Sequence, residues 1–236
     1  TDVYAINTHT GQRYRFGGKL FTDCTGDGTL GYLAGADYRY GRESRDETGE
    51  PSAPAEADSM TMGTSNLWYA TEKEKPSTFP ECRWSLSFTG DYYIDKPRGT
   101  WRWESGFDRH IIEKAEYIRD HNLRAIYGNW SFLKNHRPEK YNRYSLDWVG
   151  YVAGKRESRR LMGDVVLNET DIIDRVEYDD AAVTLTWGID VHFPDSLNSV
   201  HYPGREFISW YTHSHHPPYH MPYRCLYSRN VENLFM

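Results

Sequence analysis

Cysteine is scarce in this chain. Cys24, Cys82 and Cys225 are the only three in 236 residues, and they form no C-x-x-C pair or Cys/His spacing. Neither a disulfide framework nor a zinc module is implied, and the compartment stays open. No run of 18 apolar residues exists, so no membrane-spanning helix is expected. Positive charge is not in excess: 28 Lys and Arg stand against 34 Asp and Glu, for a net charge of −6. That argues against a nucleic acid partner, although a local basic cluster can still hold one small anion. There is no repeat with a period of 20–50 residues. A Ser-His-Asp signature, a Walker loop, a metalloprotease helix and a G-x-G-x-x-G fingerprint are also missing.

Aliphatic residues are thin too, with a mean hydropathy of −0.80. What is there is aromatic: 19 Tyr, 8 Trp and 9 Phe. The core must therefore lean on rings, and some rings remain for a ligand surface. The clusters "WRWES", "GNWSF" and "EFISWY" are read as core first and as sugar- or flavin-stacking surface second.

The alternation in residues 3–23 reads as a hairpin turned at Thr10-Gly11, followed by a short strand over 20–23. Residues 29–36 read as a helix. Residues 42–58 are polar and carry Pro51 and Pro54, marking a surface excursion and a domain boundary. A strand is expected over 59–70, a polar loop over 71–80 and a short strand in "GTWRWES". The apolar spacing of residues 108–134 suits an amphipathic helix, with Gly128 as its expected break. "YSLDWVGYVAG" is ambiguous between strand and loop. Thr170 or Asp171 is expected to cap a short helix through Tyr178. "AAVTLTWGIDVHF" and "REFISWYTH" read as strands. The balance is α+β: a mainly β middle with helices, set between two pieces of another sheet.

Three groups can carry chemistry. In "DCTGDG", a strand delivers Asp23 to Gly28 into a helix start, where Gly26 and Gly28 permit positive φ and close backbone approach. The free N–H groups there favour an anion. Asp27 can hold a ribose hydroxyl or a water, or it can simply be the helix N-cap. In "GKRESRRLMGD", a helix would put Arg156, Arg159 and Arg160 on one face, where like charges call for an anion. A solvated basic helix end is the alternative. His213, His215, His216 and His220 lack a nearby carboxylate or Cys and are followed by Pro217-Pro218. A pocket wall is therefore expected of them rather than a metal site. His192 alternates with Asp190 on a strand and is either a structural histidine or an acid/base.

Three separated stretches, "LFTDCTGDGTLGYLAGADYRYGRES", "GKRESRRLMGDVVLNETDI" and "MPYRCLYSRNVENLFM", together resemble one family. It is the FAD-dependent oxidoreductases of bacterial polysaccharide-utilisation gene sets, some of which carry a xanthan lyase label. The first stretch matches the strand with its "ATG-D-G" motif, with Cys24 at the Ala position. The second matches an Arg-Glu-Ser-Arg-Arg stretch, and the third a Pro-Tyr-Arg segment returning to the FAD sheet. Residues 71–150 match loosely.

The resemblance implies a mainly β substrate domain inserted into an α/β, glutathione-reductase-like FAD domain. Residues 1–41 would be part of the FAD domain, 42–220 the insert, and 221–236 the return segment. The G-x-G-x-x-G half would lie upstream, so the chain is expected to be an interior piece that binds FAD weakly on its own. Thr25, Gly26, Asp27 and Gly28 would lie along the FAD. Arg156 and Arg159 would place charge near the flavin or a substrate carboxylate, and Tyr223 and Arg224 would flank the cleft. His192 would transfer a proton. The expected partners are a small-molecule substrate, such as a sugar or sugar acid, and the rest of the parent chain. A carbohydrate-binding domain and a polysaccharide lyase are the alternatives.

Overall fold

Residues 2–90, 93–99, 103–194, 207, 209–214, 216 and 218–236 are described by a computed structural model. The chain opens on the expected hairpin, β1 (Asp2–Ile6) and β2 (Arg13–Gly17), with Gly11 at φ 70° in its turn. There follow β3 (Phe21–Thr22), α1 (Thr29–Ala34), β4 (Tyr38–Arg39) and α2 (Arg45–Thr48). Next come β5 (Thr64–Ser65), β6 (Trp68–Glu72), β7 (Arg98–Gly99), β8 (Glu104–Ser105), α3 (Ala115–His136) and α4 (Pro138–Tyr141). The second half holds β9 (Tyr144–Val149), β10 (Arg160–Leu161), α5 (Glu169–Asp174), β11 (Ala181–Leu185) and β12 (Ile189–Pro194). It closes with β13 (Ser209–Ser214), β14 (Tyr219–Pro222) and β15 (Leu234–Phe235).

The fold is mixed α+β, as the sequence indicates, with several small sheets rather than one large one. β7, β6 and β9 form a three-stranded sheet, and the other described strands pair in twos. One pair is parallel: β15 lies on β3, with Leu234 opposite Phe21. Among the described residues no helix is long and apolar enough to cross a membrane.

The core is aromatic because the sequence has little else to bury. Ala125, Ile126, Trp130 and Leu133 of α3 meet Trp68 and Ala70 of β6, together with Ile94, Trp103, Tyr141 and Phe207. The spacing 118, 122, 125, 126, 129, 130, 133 is one helical face. Its two polar members are both satisfied. Asn122 donates to the Thr64 carbonyl at 2.7 Å and accepts from Ser105 Oγ at 2.6 Å. Asn129 exchanges two hydrogen bonds with the Ile94 backbone, at 2.7 and 3.1 Å. Lys134, also buried, donates to the carbonyls of Tyr141, Asn142 and Tyr144 and to Ser77 Oγ, tying α3 to α4 and β9.

Several local expectations are corrected. α3 begins at Ala115 rather than 108, because residues 107–114 turn beneath Tyr40, whose hydroxyl accepts from the Ile111 amide at 2.8 Å. It runs through Gly128 without a break. The residue is glycine because a Cβ there would stand 2.0 Å from the Leu86 carbonyl oxygen. The expected 59–70 strand is two strands, since β5 pairs with β8 whereas β6 pairs with β7 and β9. α5 is capped by Asn168, with Asp171 completing a capping box, and Arg175 in the left-handed region ends it before Tyr178. Trp103 is fully buried and cannot stack a sugar; Trp101 lies outside the described residues.

Candidate functional site

The glycine turn forms where the sequence placed it. β3 runs into Asp23, Gly26 and Gly28 have φ of 78° and 59°, and Gly28 is the N-cap of α1. The capping differs from expectation. Asp27 makes no cap bond; Asp23 and Thr25 do that work. Asp23 Oδ2 accepts from the Gly31 amide at 2.8 Å, and Thr25 Oγ1 accepts from the Thr29 amide at 2.8 Å. Asp23 Oδ1 also accepts from the Thr25 amide and hydroxyl. Burial alone would raise the Asp23 carboxyl, but the bonds from Gly31 and Thr25 outweigh it and hold the carboxyl below its ordinary value. The Thr29 and Gly31 amides that an anion would have used are therefore already occupied.

The "KRESRR" stretch is not a helix. Residues 155–159 form neither helix nor strand, and Arg160 opens β10, which pairs with β4. Gly154 exchanges backbone bonds with Ser65 at 3.2 and 2.7 Å, which draws the chain out just before the arginines. Their side chains then diverge. Arg156 meets Glu104, with Nε 3.3 Å from Oε1. The Arg159 guanidinium lies 4.0 Å from the centre of the Tyr32 ring, a cation–π contact. Arg160 pairs with Glu43 and Glu157 and donates to the Gly41 carbonyl. Glu157 therefore answers Arg160 directly.

Arg159 and the turn face one cleft of about 340 Å³, walled by Asp23, Gly26, Gly28, Arg159, Leu161 and, from the end of the chain, Cys225. Asp27 and Thr25 do not line it. A Cβ at Gly26 would meet nothing within 4 Å, so the backbone there is open to a ligand. Tyr223 and Arg224 sit just beside this wall. Tyr223 is exposed and packs against the Tyr227 and Phe235 rings, at 5.4 and 6.2 Å between centres. Arg224 forks onto Asp180, Nε to Oδ2 at 2.9 Å and the terminal nitrogen to Oδ1 at 3.0 Å. A larger cleft of about 540 Å³ lies under the 42–58 excursion, between Pro51, Glu169, Arg160 and Val191.

His192 belongs to a separate, buried cluster. Its Nδ1 lies 2.8 Å from Glu104 Oε2, and its Nε2 lies 3.2 Å from Asp190 Oδ1. Glu104 is fully buried, with Arg156 on its other oxygen. The structure thus divides the candidates among the turn cleft, the Glu104 cluster and the Asp180–Arg224 pair. Sequence reasoning passed over Glu104, Asp180, Lys155 and Ser158. The signal for Glu104 was a lone acid inside the aromatic stretch "WRWES". Among the described residues no group of three or more His, Cys, Asp or Glu could hold a metal ion. His215 lies outside the described residues, and His220 Nδ1 meets Thr184 Oγ1 at 3.3 Å.

The Arg224 fork lowers the Asp180 carboxyl from 3.8 to about 2. A carboxyl held lower in the folded state stabilises the fold above its unfolded value, near 3.9, and that contribution is lost as pH falls towards 2. Asp180→Asn should therefore remove part of the acid sensitivity. In urea unfolding, wild type should lose more stability than the variant between pH 4 and pH 2. Parallel losses would dissolve the pairing.

A family model for FAD dependent oxidoreductase matches residues 2–236. No curated protein and no solved structure matches the chain significantly. Glycine turn, returning strand and family match agree: the chain belongs to the FAD dependent oxidoreductase family.

Proposed function

We propose that the chain is the substrate-binding part of a longer FAD-dependent oxidoreductase, flanked by two pieces of its FAD domain, and that the cofactor lies along Gly26, Gly28 and Arg159. The 340 Å³ cleft carries this reading. It joins the glycine turn near one end of the chain to Cys225 near the other, and its volume is at the low end of the range of about 300–1,000 Å³ usual for small-molecule sites. The residues fit part of a flavin nucleotide. Open glycine backbone and a guanidinium suit it, whereas the capped Thr29 and Gly31 amides leave Arg159 as the group that meets negative charge. Arg156 is answered by Glu104 and serves less well. FAD, when bound, supplies the hydride or electron transfer. The chain's own residues bind and orient.

The division into 1–41, 42–220 and 221–236 is part of the proposal. The parallel pairing of β3 with β15 supports it, as does the Asp23 amide donating to the Phe235 carbonyl at 2.8 Å. Parallel strands are ordinarily buried within larger sheets. β1 and β2 present Val3, Ala5, Tyr14 and Phe16 on one face, with Phe16 55% exposed. The rest of the parent chain would cover these surfaces. Residues 160–163 pack on the terminal pieces, since the Met162 amide donates to the Asp37 carbonyl and a Cβ at Gly163 would stand 2.3 Å from the Arg224 carbonyl oxygen. A sugar or sugar acid is the proposed substrate class, on the strength of the resemblance in the three sequence stretches.

The test is Gly26→Val in the full-length protein. Wild type should purify with flavin, and the variant should lose it on desalting while keeping a cooperative thermal transition. A valine cannot readily hold φ 78°, and its side chain would enter the cleft. A colourless wild type, or a variant that keeps its flavin, overturns the proposal.

A further inference from the structure

We infer that Asp27, although it stands in the glycine turn, is a positioning residue rather than a cofactor ligand. It clamps the 155–161 segment onto the turn and thereby sets Arg159 at the cleft. This rests on the reading that the cleft takes a flavin nucleotide.

The carboxylate is engaged on both oxygens. Oδ2 pairs with Lys155 Nζ, and Oδ1 accepts from Ser158 Oγ at 2.9 Å. The carbonyl of the same residue accepts from the Arg159 guanidinium at 3.3 Å. Three groups within five positions of one irregular segment thus converge on a single residue of the turn. Asp27 is absent from the cleft wall that Asp23, Gly26, Gly28 and Arg159 form.

The neighbouring glycines complete the clamp. A Cβ on Gly28 would stand 3.2 Å from the Leu161 side chain and 3.4 Å from Arg159 Cβ, and one on Gly31 would stand 2.5 Å from Leu161. The turn and α1 are therefore cut back to let residues 159–161 lie directly on them. Tyr32 then receives the guanidinium on its ring.

The charges point the same way. A bare carboxylate beside Arg159 would oppose any anionic ligand. Paired with Lys155, Asp27 is neutralised, so the charges left on the cleft wall are Arg159 and Asp23, and the Asp23 carboxylate is already taken up by Gly31 and Thr25. Between the side chains, Lys155 is 33% exposed and Asp27 15%, so the pair is half-sheltered.

The experiment is a set of variants of the full-length protein, read by FAD titration through flavin fluorescence and by thermal midpoint. Asp27→Asn and Lys155→Met should each weaken FAD by roughly three- to tenfold, as expected of a half-exposed pair acting through another group. The double variant should be no worse than the poorer single one, which is the mark of coupled residues. Exchanging the two, Asp27→Lys with Lys155→Asp, should recover part of the loss. Arg159→Met should weaken FAD at least as much as either. A loss of about tenfold or more in Asp27→Asn, with Lys155→Met and Ser158→Ala within about twofold of wild type, would make Asp27 a direct ligand and overturn the inference. A wild type that takes up no FAD sinks the functional reading instead. The clamp is then judged by the thermal midpoints, where additive shifts for Asp27→Asn and Lys155→Met overturn it.

Discussion

Trp103→Ala is expected to destabilise the protein by about 3–5 kcal/mol, the usual range for a buried tryptophan. The side chain is fully buried and meets Phe88 and Phe207 edge-on, at 5.1 and 5.3 Å between ring centres. Trp103 leads straight into β8, whose two residues are both buried: Glu104, the next residue, is equally inaccessible and meets His192 and Arg156. Against a total stability on the order of 5–15 kcal/mol for a folded domain, one such loss is a large fraction. Urea unfolding at neutral pH measures it. A loss below about 1 kcal/mol would mean that Trp103 is not core and would return it to the ligand surface.

Gly128→Ala has the second-largest expected effect, and here two forces oppose. In an exposed helix the change gains about 1 kcal/mol of helix propensity. In α3 the new methyl would stand 2.0 Å from the Leu86 carbonyl oxygen and 3.0 Å from the Phe88 ring. The obstacle is backbone, and it is held in place, because the Leu86 amide donates to the Arg124 carbonyl of the same helix at 3.2 Å. Overpacking of this kind costs about 1–3 kcal/mol and sometimes more, so the clash outweighs the propensity gain. The thermal midpoint of Gly128→Ala should fall. A rise would show that the 86–88 segment yields easily.

Residues whose partners are near in sequence were readable from sequence alone. The β1–β2 hairpin follows from its Gly11 turn, α3 from its apolar spacing, and the positive φ of Gly26 and Gly28 from the glycines themselves. Where partners are distant, the sequence misled. Arg156, Arg159 and Arg160 read as one helical stripe because only their mutual spacing was visible. Glu104, Tyr32 and Glu43, which separate them, lie far away in the chain. Gly128 read as a break for the same reason, since Leu86 gives its absence of a side chain a different meaning. Asp27 was legible as a polar residue in a glycine turn, but not which way its carboxylate turns.

The parallel pairing of β3 with β15 also sets an order of events in folding. Phe21 and Leu234 are register partners although 213 positions (234 − 21) separate them. Closing a flexible loop of that length costs about 5 kcal/mol before any constant term. A pair of two-residue strands, with net hydrogen bonds of about 1 kcal/mol each, cannot offset that. The intervening residues must fold first and carry the two ends together. On the ribosome, at about 5–20 residues per second, β3 then waits roughly 10–40 seconds for its partner to be made. Throughout that interval an unpaired strand edge stands open, next to an exposed Leu20, to any other chain that can pair with it.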